Sequence, residues 1–184
     1  TFALETALLD LVAQARGESV AVLLRGVSID SVVELNATLD LVEGRIEDDP
    51  LSALVQRGFR TYKLKAAGAP FEQQLAALQH LRCVLGDGPS LRLDVGGCWS
   101  LSDAPGYLER LTPLSLEYVE QPVAARELAR LARSRVPMAA DETVELEDGL
   151  ETIIAAGNCA AVVLKPALLG GLTVARRLAC RAQA

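Results

Sequence analysis

From residue 61 to residue 65 polar and apolar side chains alternate, as Thr61, Tyr62, Lys63, Leu64 and Lys65. A period of two marks a strand and puts Lys63 and Lys65 on one face, with Tyr62 and Leu64 on the other. Residues 2–16 instead place Leu4, Leu8, Leu11, Val12 and Ala15 at helical spacing, with Gly17 as a natural stop, which predicts a helix packed through that stripe. Residues 19–30 carry no decisive pattern, and Val32 to Leu39 reads as a strand. From there one unit repeats. A helix near 50–57 leads to strand 60–66, helix 71–85 to strand 90–95, and a helix near 102–111 to strand 115–120. Helix 124–134 then leads to strand 136–140, helix 147–156 to strand 160–165, and a last helix opens after Gly171.

Strands that alternate with helices need crossover connections and make a parallel sheet. Six strands at this spacing predict an α/β fold of the TIM-type (β/α) barrel kind, which ordinarily holds eight strands in about 250 residues. The chain is therefore read as a partial barrel of about six βα units, without the last two strands. A doubly wound open sheet competes, but no G-x-G-x-x-G follows the first strand. Thr1 already lies in a helical pattern and the chain stops in another, so both termini read as cut. Residues 1–31 are expected to be a helix and linker, and residues 32–184 an incomplete catalytic barrel.

Composition narrows the function. Of 184 residues 51% are hydrophobic, enough to bury a sizeable core, and a net charge of −6 argues against a nucleic-acid surface. Arg126, Arg130, Arg133 and Arg135 sit at helical spacing and read as a solvated helix face. No apolar run reaches the roughly 20 residues of a membrane span and the first residues show no signal-peptide pattern, so a cytoplasmic setting is the expectation. Cys83, Cys98, Cys159 and Cys180 lack CxxC spacing and have only His80 for company, which speaks against zinc; they read as small buried apolar residues.

The predicted strands end in charges. Lys63 and Lys65 close the second, Asp94 the third, Glu120 the fourth, Asp141 the fifth and Lys165 the sixth. In a barrel that is where the chemistry sits. Two lysines on one poorly solvated face should lower each other's pKa, and such a lysine serves as a base. The pentapeptide alone also fits an edge strand protected by two solvated lysines. Three carboxylates converging in one mouth would repel one another unless a hard divalent cation, suited to Mg²⁺, joined them. Lys65 and Lys165 would then face a bound carboxylate substrate from opposite sides, with the cation stabilising the enediolate left when its α-proton departs. A barrel aldolase using Lys165 as a Schiff-base nucleophile is an alternative, but it gives three carboxylates no task.

The strings TYKLK, LRLDV, LEYVEQP, MAADET and VVLKPALLGG, in this order, resemble the enolase superfamily in its muconate-lactonising subgroup, and within it the o-succinylbenzoate synthases. The resemblance implies that Asp94, Glu120 and Asp141 bind Mg²⁺, that Lys65 abstracts a proton α to a carboxylate, that Lys165 stabilises the enolate and that Lys63 tunes Lys65. It implies a lyase that forms o-succinylbenzoate for menaquinone synthesis by syn-dehydration, with N-acylamino-acid racemisation as the sister activity. Gly170 and Gly171 would approach the substrate through their backbone, or simply turn into a helix. The sequence departs from the pattern at Gly96, where the family has Asn, which predicts a looser loop after Asp94, and at Thr143, where Ser is common. The capping domain of the family is also expected to be absent, with residues 1–31 as the remnant of its junction with the barrel. An inactive fragment is the remaining alternative.

Overall fold

Six short strands carry the fold: β1 (Ala37–Asp40), β2 (Thr61–Lys65), β3 (Ser90–Asp94), β4 (Tyr118–Glu120), β5 (Met138–Ala140) and β6 (Ala161–Val162). They form one sheet in the order β1-β2-β3-β4-β5-β6, every pair parallel. The computed structural model describes residues 2–25 and 33–183. Two compact units divide the chain, Leu35–Val163 with the whole sheet, and Thr1–Glu34 with Leu164–Ala184.

Helices α1 (Phe2–Arg16) and α2 (Val20–Arg25) precede the sheet. The crossovers carry α3 (Asp48–Gln56), α4 (Phe71–Leu85), α5 (Ala104–Leu111) and α6 (Gly149–Ala156), and α7 (Pro166–Leu169) and α8 (Leu172–Ala182) follow β6. The alternation drives the core. Tyr62, Leu64, Leu91, Leu93, Val119 and Met138 are each at most 1% exposed, and helix α4 packs Leu78 and Leu81 at 0%. Each fully buried side chain of this size stabilises the fold by about 1.5–3 kcal/mol. The residues between them, Lys63, Arg92, Asp94 and Glu120, share the opposite face of the strands.

The partial α/β barrel expected from the pattern is the observed architecture, and several elements depart from it in detail. Helix α1 has the bounds foreseen but the face is reversed: Leu4, Leu8 and Leu11 are 66, 53 and 64% exposed, and Ala13 is its buried residue. Residues 2–16 offer apolar side chains on two faces, and the side bearing Ala13 is the buried one, so the Leu stripe is not the packed one. Strand 32–39 shrinks to β1; residues 33–36 are not strand, and residue 32 lies outside the described residues. No α-helix spans 124–134. A single 3₁₀ turn, Leu128–Arg130, stands there. Asn158 Nδ2 donates to the carbonyls of Leu128 and Leu131 at 2.8 and 2.9 Å, taking acceptors a helix would have used. Arg126, Arg130, Arg133 and Arg135 are thus solvated, but on an irregular segment.

The cysteines also differ from expectation. Cys83, Cys98 and Cys180 are exposed, and only Cys159 is partly covered, burial pushing its thiol up to about 12. His80 is exposed and pairs with Asp48 at 3.0 Å. Among the described residues no helix is long and apolar enough to cross a membrane.

Candidate active site at the strand ends

Register assembles the candidate site. Lys65 pairs with Asp94 and Asp94 with Glu120, so the last residues of β2, β3 and β4 stand in one row. Asp40, which sequence reasoning passed over, begins the row opposite Lys65. Paired residues of parallel strands point to the same face, and two residues back Lys63, Arg92 and Tyr118 form a second row on that face.

Lys63 joins the rows. Its Nζ donates to Glu120 Oε1 at 2.8 Å, lies 2.8 Å from Oε2 and stands 2.9 Å from Asp94 Oδ2. Glu120 is 1% exposed and could not keep its charge there without such a partner. Burial nevertheless raises the Glu120 carboxyl above its ordinary pKa; Lys63 pulls it down, while the charges of Asp94 and Asp141 push it up. Burial works against the Lys63 ammonium, but its bonds to Glu120 and Asp94 outweigh that and hold its pKa above the ordinary lysine value. The expectation that the paired lysines lower each other therefore fails at Lys63, because two carboxylates from neighbouring strands reach it. Lys65 ends β2 with its side chain exposed.

Asp141 follows β5, is 3% exposed, and is near enough for its charge to act on Glu120. Gln121 ties the two strand ends. Its Oε1 accepts from the backbone N–H of Asp141 at 3.0 Å and of Thr143 at 3.2 Å, and its Nε2 donates to Val123 O and Thr143 Oγ1, both at 2.9 Å. The loop after Asp94 is pinned, not loose. Gly96 and Gly97 adopt φ of 58° and 75°, and a Cβ on Gly97 would stand 3.3 Å from Val123 O. Gly96 N donates to Asp94 Oδ1 at 3.1 Å and Gly97 N to Gln121 O at 2.7 Å. Behind this loop, fully buried Gln74 accepts from Trp99 Nε1 at 3.0 Å and donates to the carbonyls of Ala66 and Ala69, at 3.0 and 2.8 Å, joining the loops that leave β2 and β3.

Lys165 belongs to the other unit, where its carbonyl accepts from Leu168 and Leu169 at the opening of α7. In that unit Glu5 accepts from the first amides of α8, Leu172 N at 2.5 Å and Thr173 N at 3.1 Å. Gly171 precedes them with φ of 138°, and a Cβ there would collide with the Glu5 carboxylate, so this glycine serves the opening of a capped helix.

Asp94, Glu120 and Asp141 offer hard oxygen donors of the kind Mg²⁺ takes, and two of them already share one cationic centre at Lys63 Nζ. The donor set fits a divalent cation in kind. Among the described residues the three are not gathered into a ready cluster of three ligands. Sequence reasoning foresaw a role for Lys63 beside Lys65 but missed it as the counter-ion of the acids, and it missed Gln121 and Gln74. Lysine two residues before the strand end was the available signal for the first and the LEYVEQP string for Gln121; nothing in a lone glutamine marks Gln74.

A parallel α/β sheet with Lys65, Asp94 and Glu120 in register at its C-terminal strand ends is the arrangement of a (β/α)-barrel domain. Residues 48–184 match the enolase C-terminal domain-like family. An o-succinylbenzoate synthase of Thermobifida fusca is 34% identical over 155 residues, covering 82% of this chain and 48% of that protein. Muconate cycloisomerase 1-1 of Acinetobacter lwoffii is 32% identical, covering 99% of this chain and 48% of the relative. A dipeptide epimerase of Cytophaga hutchinsonii, solved with Mg and a dipeptide, superposes with a TM-score of 0.83 at 27% identity, covering 96% of this chain and 49% of the other. The chain belongs to the enolase superfamily, and it spans about half the length of the curated relatives it matches.

Proposed function

We propose that this chain carries the acid–base core of a Mg²⁺-dependent lyase that removes a proton α to a carboxylate and forms o-succinylbenzoate. The observation that supports the reading is the row Lys65, Asp94 and Glu120, in register at the strand ends, with its two acids tied by the Lys63 ammonium. Asp94, Glu120 and Asp141 would hold Mg²⁺, which when bound supplies positive charge to the substrate carboxylate. Lys65 takes the α-proton and returns it to the departing hydroxide as water. Lys165 steadies the negative charge on the substrate. Lys63, kept protonated by the acids it touches, fixes their spacing and sets the positive field in which Lys65 works. Gln74 and Gln121 hold the loops on which these groups stand. Gly170 and Gly171 would border the substrate only through the turn that opens α8.

A second reading within the superfamily, racemisation of an N-acylamino acid or another muconate-lactonising-type reaction, is favoured by the cycloisomerase that aligns with 99% of this chain. We also propose that the 184-residue chain alone turns over slowly, since β1 and β6 each pair on one side only among the described residues. The test is product formation from the succinyl-hydroxycyclohexadiene carboxylate, with and without EDTA and with Lys65→Ala. The reading expects dehydration that chelation and the substitution both abolish. Turnover of the acylamino acid alone would favour the second reading, and EDTA-insensitive activity with borohydride trapping of Lys165 would overturn both.

A further inference from the structure

Gln121 is 1% exposed, follows Glu120 directly and holds a positive φ of 43°. A non-glycine residue persists in that conformation only where its surroundings over-determine it. Here they do. A glutamine amide has two N–H donors and one carbonyl oxygen able to accept two bonds. The donors go to Val123 O and Thr143 Oγ1, and the oxygen receives the amides of Asp141 and Thr143, so the side chain is saturated. Thr143 Oγ1, accepting from Gln121, passes its own proton toward Ala125 O at 3.0 Å. No other polar side chain of equal length fits: glutamate has no donor for Val123 O, and lysine has no acceptor for the two amides.

We propose that Gln121 is a positioning residue that sets the separation of the Glu120 and Asp141 carboxylates by clamping the end of β4 to the end of β5. The β4–β5 ladder cannot do this alone, because it stops at Glu120 and Ala139, and Asp141 lies beyond it. The side chain of Gln121 continues the ladder past that point, replacing strand hydrogen bonds with two of its own to residues 141 and 143. Thr143 is the matching half, its hydroxyl closing the clamp against the segment after Pro122. Gln121 touches neither substrate nor cation. It acts through the two acids, and the proposal rests on the reading that those acids hold Mg²⁺.

The experiment compares the whole chain with Gln121→Met, Thr143→Val and Thr143→Ser by two readouts. Amide hydrogen exchange at Asp141 and Thr143 reports the clamp itself. Calorimetric titration with Mn²⁺ reports its consequence. Gln121→Met and Thr143→Val should speed exchange at both amides relative to Val119 and Val144, whose amides bond backbone carbonyls. They should weaken Mn²⁺ by about 10-fold or more, as loss of a ligand's supporting partner does. Thr143→Ser, which keeps the hydroxyl, should stay within about 3-fold of the parent. Should Gln121→Met fail to fold, Thr143→Val carries the same comparison. Unchanged exchange at Asp141 and Thr143 overturns the clamp, and fast exchange with Mn²⁺ affinity unchanged reduces Gln121 to a structural residue and also overturns the proposal. A parent chain that binds no Mn²⁺ sinks the functional reading instead, while the exchange data still decide whether the clamp exists.

Discussion

Lys63 shows how a residue's chemistry is set by strands that its own segment does not contain. The TYKLK alternation correctly gave the faces of the two lysines, but it held no information about Asp94 and Glu120, which arrive from β3 and β4 and raise the Lys63 pKa instead of lowering it. Lys63→Met should therefore destabilise the chain at neutral pH by about 1–3 kcal/mol. That is less than the roughly 3–5 of a fully buried pair, because 17% of the Lys63 side chain remains exposed. The pH dependence has a definite sign. Lys63, with its folded pKa raised, contributes stability that is complete below the ordinary lysine value and is lost as pH rises through the raised one. Glu120, also raised, contributes most below the ordinary glutamate value and loses that contribution as pH rises through its own raised pKa; without Lys63 this loss grows. The gap between parent and variant should open as pH climbs through the glutamate range, persist at neutrality and close once Lys63 deprotonates. Urea denaturation across pH measures it, and a gap independent of pH would contradict the counter-ion role.

Elements with a strong local signal were legible, and those shaped by remote side chains were not. Helix α4 runs from Phe71 to Leu85, as its periodicity and Gly86 foretold. The segment 124–134 carries a helical pattern of arginines, yet Asn158, some thirty residues on, takes the carbonyls of Leu128 and Leu131. Periodicity cannot register such a competitor. Helix α1 presents the complementary case, its length readable and its orientation not, since Leu4, Leu8 and Leu11 outnumber the small Ala13 that packs. Stability should follow the observed face. Leu8→Gln should shift the denaturation midpoint by the equivalent of less than about 0.5 kcal/mol, whereas Ala13→Leu should cost about 1–3 kcal/mol through overpacking. The reverse order would mean that the Leu stripe is the packed one.

For the whole chain, the five motifs conveyed the superfamily because they mark strand ends, and strand order equals sequence order throughout the sheet. The β2 lysines, Asp94, Glu120 and Asp141 therefore follow one another in the sequence in the same order as their strands in the sheet, which is why a linear reading could pick them as candidates. What it could not supply was spacing at the level of ångströms: how far Asp141 stands from Glu120, and what holds it there. On the proposed function, the acids at the ends of β3, β4 and β5 form one divalent-cation site. Electron paramagnetic resonance of Mn²⁺ titrated into the chain and into Glu120→Gln decides the point. One bound Mn²⁺ displaced by Mg²⁺, with affinity at least about 10-fold weaker in the variant, is the predicted result; no bound Mn²⁺, or equal binding by both proteins, would contradict it.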